Sequence, residues 1–182
     1  MIKFNGGQGA LICDNCRVII HEPYDMTRTQ PEKVLCEQCQ KDETSKNIKQ
    51  VIVVRKDLKM RKGKMVSQGA HAAMKVFFDR MERQWVTHPQ DSQDECLEWV
   101  VNFTEEMVKW KEGTFTKICV GVDSEQELLD VYKKAKEMDI PCSLIEDRGF
   151  TEFKGERTLT CCAIGPDLNE KIDTITGKLQ LL

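Results

Sequence analysis

The sequence lacks several features that would place it outside the globular proteins. None of its apolar runs approaches the roughly 20 residues that a membrane-spanning helix needs. The opening stretch MIKFNGGQGALIC has no apolar core between a basic start and a small-residue cleavage site, so it does not read as a secretory signal. Internal repeats and low-complexity segments are also missing. We therefore expect a cytoplasmic protein that does not associate with membranes.

Excess positive charge is absent from the chain as a whole. Its net charge is −3, so it is not a nucleic-acid binder over its whole surface. The segment Arg55–Lys64 differs, because it contains six basic residues and only one acid, Asp57. A local basic patch can guide a polyanion to one face of a protein. A solvated, lysine-rich loop is the alternative, and composition leaves both open.

The cysteines are abundant and unevenly placed. There are nine, an odd number without an export signal, which argues against a disulfide framework. Four form two C-x2-C pairs, Cys13 with Cys16 and Cys36 with Cys39, separated by nineteen residues. This spacing predicts one tetrahedral zinc with a structural role, because four thiolates leave no coordination position open. Iron in the same thiolate cage is the alternative.

The cysteine pairs also predict the domain organisation. We expect a small zinc-ribbon-like module with its linker at residues 1–44, the linker lying near Gln40–Lys46, and a second domain at residues 45–182. About forty residues bury too little apolar surface to fold alone, so the metal would stabilise the module. His21 lies between the pairs and is expected to be a solvated or packing residue.

The second domain alternates predicted strands and helices. We predict strands at Ile48–Arg55, Lys117–Val122, Cys142–Ile145 and Thr158–Ile164, and helices at about 64–84, 94–112, 124–138 and 167–176. The first helix should bury Val66, Ala70, Ala73, Phe77 and Met81. Ser124 and Glu127 form a capping box. Because no helix separates the last two strands, we expect a small mixed sheet in a three-layer α/β/α sandwich.

From Val51 onward the sequence resembles a known family. VIVVRKDLKMRKGKMVSQGAHAAMK, followed by KICVGVDSEQELLDVYKKAKEMDIPCSLIED and by EDRGFTEFKGERTLTCCAIGPDLNEKIDTITGKLQLL, resembles the archaeal and eukaryotic class of peptidyl-tRNA hydrolases. The resemblance covers about residues 48–182 and leaves the cysteine module outside. It implies a cytoplasmic enzyme that cleaves the ester between a peptide and the terminal ribose of tRNA. It also implies no cofactor for the chemistry and a possible homodimer.

The resemblance also implies functional positions in this chain. Lys64, Asp147 and Thr158 are carried over as catalytic, and the expected substrate-binding residues are Gln68, His71, Thr151, Lys56, Arg61 and Lys62. The chain departs from the family pattern at Arg148, where alanine is usual, and in the short loop before Thr158.

The residue types fit this chemistry, although each also has an ordinary structural interpretation. Ester hydrolysis needs an oriented water, a proton acceptor and stabilisation of an oxyanion. Asp147, at the carboxyl end of a strand, would orient the water, and Lys64, at a helix start, would stabilise negative charge. Lys64, Gln68 and His71 are expected on one polar helix face, distinct from the apolar one. His71 is favoured as a structural histidine.

No Gly-x-Ser-x-Gly motif is present, so a covalent serine mechanism has little support. The competing hypotheses are a non-catalytic tRNA-binding or adaptor protein with the same fold, and hydrolysis of another acyl ester, such as a blocked aminoacyl-tRNA.

Overall fold

A computed structural model describes residues 11–20, 35–87 and 95–182 of the chain. In chain order its elements are β1 (Leu11–Ile12), β2 (Ile19–Ile20), α1 (Glu37–Ser45), β3 (Ile48–Arg55), α2 (Lys62–Phe78), β4 (Met81–Thr87), β5 (Glu95–Val101), α3 (Glu105–Glu112), β6 (Lys117–Val122), α4 (Glu125–Glu137), β7 (Cys142–Asp147), β8 (Thr158–Leu168), α5 (Asn169–Thr176) and β9 (Gln180–Leu181). Within these residues, no helix is both long and apolar enough to cross a bilayer. His21 lies outside the described residues.

Five strands form the central sheet in the order β7-β8-β3-β6-β9. The β3–β6 pair is parallel, and the other three pairs are antiparallel. All eight residues of β3 are buried, as its Val- and Ile-rich sequence predicts for a central strand. The mixed sheet is confirmed, and the C-terminal LQLL contributes the short edge strand β9.

Helices cover both faces of this sheet, which confirms the mixed α/β class. On one face Val51 and Val53 pack with α4 and α5, whose buried residues include Leu128 and Ile172. On the other face Ile52 packs in a second core cluster with residues of α2 and α3. The predicted capping box starts α4, because the Ser124 hydroxyl accepts from the backbone N–H of Glu127.

The predicted helix over residues 94–112 is wrong in its first half, and the helix from Lys64 ends early. Helix α2 stops at Phe78, and β4 and β5 form a separate antiparallel hairpin before the short helix α3. In this hairpin Trp85 lies opposite Leu97 and Trp99 lies opposite Arg83. Alternating aromatic and β-branched residues favour strands, and this preference outweighed the helix-like spacing of the apolar residues.

The predicted core face of α2 is wrong in part. Ala73 and Phe77 do pack against the second core cluster, whereas Met81 lies on β4. Val66 is 72% exposed and Ala70 is exposed, whereas Gln68, Ala72 and Val76 are buried. These three are spaced by four residues, so they share one face of the helix, and this face lies against the sheet. A buried glutamine is tolerated there because its amide is hydrogen-bonded, a condition that apolar periodicity does not reveal. Gln68 therefore points inward and does not belong to a solvent-facing polar face.

The predicted linker Gln40–Lys46 lies mostly inside α1 and is packed. The Ser45 hydroxyl accepts from the backbone N–H of Thr114 at 2.8 Å, directly after α3. Gly113 allows this approach, since a Cβ there would overlap the Ser45 side chain. Helix α1 therefore joins the cysteine region to the sheet domain by a packed contact. The domain boundary between residues 44 and 45 stays a prediction.

Candidate active site

Lys64 and Asp147 meet where α2 begins and β7 ends. Lys64 Nζ lies 2.5 Å from Asp147 Oδ2, and the two side chains are only 12% and 14% exposed. The other carboxylate oxygen, Oδ1, accepts from the backbone N–H of Gly149 at 2.8 Å. Arg148 lines the adjacent cleft. The resemblance predicted both charged residues, and the fold brings them together across 83 positions of the chain.

Gln68 connects this ion pair to the interior. Its Nε2 donates to Asp147 Oδ2 at 2.8 Å, and its Oε1 accepts from the Thr160 hydroxyl at 2.6 Å. Gln68 is 3% exposed and Thr160 is fully buried. The Thr160 hydroxyl therefore sets the orientation of the amide, so that the amide N–H points to the carboxylate.

Thr160 was not among the residues predicted from the sequence, which placed Thr158 in this role. Ile145 pairs with Cys161 and Glu146 pairs with Leu159, so Thr160 has no residue opposite it and forms a β-bulge. A bulge redirects a side chain relative to strict strand alternation. The one available signal was the repeated threonine in Thr158-Leu-Thr160, of which only Thr158 was named as a candidate.

The loop after β7 completes the site. Thr151 Oγ1 lies 3.1 Å from Lys64 Nζ, and the Lys64 ammonium lies 5.5 Å from the centre of the Phe153 ring. Gly149 shapes this loop with a φ of +81°, and a Cβ there would meet the Glu156 backbone at 2.4 Å. Only glycine adopts this conformation without strain at such a close approach.

The Asp147 carboxyl has a lowered pKa. Burial acts to raise this pKa, but hydrogen bonds from Lys64, Gly149 and Gln68 and the charge of Lys64 outweigh it. At neutral pH Asp147 is therefore a carboxylate that accepts three hydrogen bonds. It is suited to orienting a water molecule or holding Lys64, and its low basicity makes it a weak proton acceptor.

A cleft of about 560 Å³ opens beside this cluster. Its wall includes Lys64, Gln68, Met74 and Phe78 from α2, residues Leu144 to Asp147 of β7, and Phe150 and Thr151 of the loop. His71 also lines the cleft, with an exposed side chain. The cluster thus has one side packed on the protein and one side open to a ligand.

Comparison with known proteins shows the family of this chain. Residues 48–182 match the family described as Peptidyl-tRNA hydrolase PTH2. The chain belongs to this family. Proteins named peptidyl-tRNA hydrolase are similar to it: that of Methanocaldococcus jannaschii is 44% identical over 135 residues, which cover 74% of this chain and all of the relative. The one from Staphylothermus marinus is 41% identical over 136 residues, covering 74% of this chain and 94% of the relative.

In this member of the peptidyl-tRNA hydrolase PTH2 family, two of the three basic residues predicted to bind the substrate are paired with acids. Arg61 Nε lies 2.6 Å from Glu152 Oε1, although the arginine side chain is 78% exposed. Lys56 Nζ lies 3.1 Å from Asp123 Oδ1. Lys62, the third, is exposed at the start of α2. The basic segment is therefore less positive in its folded surroundings than its composition implies.

Thr158 lies opposite Asp147 in the register of β7 and β8, but its side chain is not hydrogen-bonded to the cluster in the described residues. Its hydroxyl donates to the Glu156 carbonyl at 3.1 Å, and its side chain lines a second cavity, of about 410 Å³, with Arg55 and Glu125. Within the described residues it makes no hydrogen bond to Lys64 or Asp147. The structure therefore joins Lys64, Gln68, Asp147 and Thr151 by hydrogen bonds, adds Thr160, and leaves the Thr158 hydroxyl bonded elsewhere.

Four cysteines gather outside the region that matches the family. The Sγ atoms of Cys13, Cys16, Cys36 and Cys39 all lie within 4.8 Å of one another. Ligands at the Zn–S distance of about 2.3 Å in a tetrahedron are about 3.8 Å apart, so the arrangement fits a tetrahedral metal. Asn15 Nδ2 lies 3.7 Å from Cys39 Sγ, a contact of the kind that orients metal-bound thiolates.

Proposed function

We infer that this chain hydrolyses the ester bond between a peptide and the 3′-terminal ribose of tRNA, releasing free tRNA. The observation that carries the inference is the part-buried Lys64–Asp147 pair at the mouth of an open cleft, within the part that matches the family. The same reaction on a single blocked amino acid would use the same atoms. Its place of action would be the cytoplasm, where translation supplies the substrate.

In this proposal Asp147 holds the attacking water. Its carboxylate has hydrogen bonds to Lys64, Gln68 and Gly149, and a remaining lone pair can accept from a water in the cleft. The lowered pKa favours orientation of the water over full proton abstraction. The ammonium of Lys64 would stabilise the negative charge that develops on the carbonyl oxygen, an effect strengthened by its low exposure.

A cysteine nucleophile does not fit the site. Cys161 is the thiol nearest to the cluster, with its Sγ 3.3 Å from the Gln68 carbonyl oxygen. It is fully buried, and burial raises its pKa to about 12. Because the thiolate is the nucleophilic form, this cysteine would be unreactive at neutral pH. Direct attack by water is therefore the proposed route.

Binding of the tRNA would use the basic segment next to the cluster. Lys62 is exposed at the amino end of α2, where free backbone N–H groups also favour an anion. Arg61 and Lys56 would exchange Glu152 and Asp123 for phosphate oxygens. We keep Thr151 and His71, which line the cleft, as contacts to the substrate. Thr158, expected to be catalytic, lines a different cavity, and we assign it no part in the hydrolysis.

The four cysteines would bind one zinc ion with a structural role. Four thiolates saturate the metal, so no open position remains for a water or a substrate. No metal is proposed for the hydrolysis itself.

The decisive experiment measures release of an N-acetylated amino acid from tRNA by the purified chain. Hydrolysis of the blocked aminoacyl-tRNA, with the unblocked form left intact, is the expected result. A Lys64→Ala variant serves as the matched control for contaminating activity. Binding of tRNA without turnover would instead support the adaptor function, and the molecular mass in solution would test the homodimer.

A further inference from the structure

Strand β7 is an edge of the central sheet, and the active-site cleft runs along it. The sheet order places β7 at one end, hydrogen-bonded only to β8 in the part of the chain that the structure describes. Four consecutive residues, Leu144 to Asp147, line the cleft. Successive side chains of a strand point to opposite faces of a sheet, so four in a row cannot all point into one cleft. The cleft must therefore meet the strand at its backbone edge.

The orientation of the backbone groups agrees with this placement. The Pro141 carbonyl, just before β7, accepts from the backbone N–H of Gly165 at the end of the β8 pairing. Backbone groups alternate in direction along a strand, so those of Cys142 and Leu144 point away from β8. An outward N–H and C=O at Leu144 would be available to an added strand.

We propose that the peptide part of the substrate binds as an additional β-strand along this edge, an inference that rests on the proposed function. The esterified end of the peptide would lie at Asp147, and the preceding residues would run back toward Cys142. The peptide and β7 would then point in the same direction and pair in parallel. From Asp147 to Cys142 the edge is about 16 Å long, enough for about five residues.

The opposite wall of the cleft fits an extended chain. It follows α2 from Lys64 to Phe78, a distance of about 21 Å at the rise of an α-helix. Lys64 and Gln68 occupy the end near the ester, whereas Met74 and Phe78 expose apolar surface at the other end. Main-chain pairing would let the site bind peptides of different sequences, because the affinity comes from backbone hydrogen bonds.

An N-methyl scan of the peptide tests the pairing. The probe is a tRNA that carries an alanine pentapeptide through a non-hydrolysable amide, with one backbone nitrogen methylated at a time. Only alternate residues of a paired strand point to their neighbour, so the Kd should rise about three- to tenfold at every second position and stay unchanged between. Equal effects at all positions, or none, would overturn the proposal. Since the analogue requires no turnover, failure of the hydrolytic function would appear separately, with the cleavable ester.

A matched pair of variants tests the strand itself. Leu144→Pro removes the outward N–H, which β8 does not use, and Leu144→Ala removes the same side chain but keeps that N–H. Relative to Leu144→Ala, the proline variant should bind the pentapeptidyl analogue about three- to tenfold more weakly and the N-acetyl-alanyl analogue equally well. Equal weakening of both analogues would contradict the proposal. Dissociation of a dimer by the proline alone would assign the edge to a second copy of the chain. If Leu144→Pro does not fold, the N-methyl scan decides.

Discussion

The cysteine cluster and the Lys64–Asp147 cluster both gather polar side chains, but they differ in what they leave open. The four cysteines carry thiols of one kind that converge on a single point. Lys64, Asp147 and Gln68 are groups of different kinds, linked by hydrogen bonds on one side and facing a cleft on the other. A closed set of ligands stabilises a fold, whereas a half-open set can also act on a substrate. Hydrolysis is therefore assigned to the open cluster, and substitutions there should affect turnover most.

The largest effect is expected for Asp147→Asn. The substitution keeps the size of the side chain but removes its charge, so the attacking water loses its negatively charged acceptor. We expect kcat to fall by about 10²–10⁴-fold, with little change in tRNA affinity. Asp123→Asn is the matched control, because Asp123 is an exposed acid that pairs with Lys56 outside the cluster. A folded Asp147→Asn variant that turns over at the parent rate would remove Asp147 from the mechanism.

The pH profile gives the second prediction. Asp147 has a lowered pKa in the folded chain, so its carboxylate persists as the pH falls below the ordinary value of about 3.9. Its contributions to stability and to turnover are present above the unfolded pKa and are lost only as the pH falls through the lower folded pKa. Turnover should therefore show no acidic inflection from this group near pH 6.

Gln68→Ala provides the control for the pH profile. It removes one hydrogen bond to the carboxylate, so the pKa of Asp147 should move upward toward its usual range. The measurement is kcat/KM from pH 3.5 upward, with circular dichroism to identify unfolding. An inflection near pH 6 in the parent chain that moves in the Gln68 variant would show that the pKa of Asp147 is not lowered.

Two threonines of β8 should differ in their effect on turnover, and both effects should be smaller than that of Asp147→Asn. Thr160→Val removes the hydroxyl that orients the Gln68 amide, so we expect turnover to fall about tenfold, the effect of a neutral hydrogen bond of about 1.4 kcal/mol. Thr158→Val loses only a bond to the neighbouring Glu156 carbonyl and should change turnover less than twofold. Steady-state kinetics of both variants decide between them. A larger loss at Thr158 would restore the role that the sequence predicted for it.

These threonines also show why prediction from sequence succeeded only in part. The resemblance identified Lys64, Gln68, Asp147 and Thr151, because the family motifs specify these residues by position. The fold brings them together. Thr160 depends on a bulge, which is a relation between two strands and leaves no local signature.

The other errors have a related origin. The ion pair between Arg61 and Glu152 joins residues 91 positions apart, so composition around Arg61 alone overstated the free positive charge. The β4–β5 hairpin was missed because short apolar runs with three- and four-residue spacing fit a strand as well as a helix. The sheet was predictable since the buried strands, such as β3, are marked by continuous β-branched residues.

The salt dependence of tRNA binding tests whether the basic residues beside the open cluster bind phosphates. If Arg61 and Lys56 exchange their acids for phosphates, Arg61→Ala and Lys56→Ala should each reduce the slope of log affinity against log salt by about one. Lys133→Ala, on helix α4 away from the basic segment, is the control and should leave the slope unchanged. Unchanged slopes in all three variants would favour a solvated loop, already neutralised by Glu152 and Asp123.

The smallest effect on turnover is expected at the closed cluster. Cys13→Ser combined with Cys16→Ser removes two of the four thiolates, so the full-length chain should lose the one zinc per chain that elemental analysis is expected to find. Stability of the module should fall, since about forty residues depend on the metal for their fold. The kcat should change less than twofold, because Lys64 and Asp147 are positioned by α2 and β7. Ser45 on α1 packs against Thr114 of the sheet domain. The variant keeps this contact only if α1 remains folded.

Cys119→Ser, an exposed cysteine of β6, is the control for loss of a thiol as such. A folded variant without zinc that loses hydrolysis but retains tRNA binding would mean that the cysteine module takes part in the reaction, and the division between a closed structural cluster and an open catalytic one would fail.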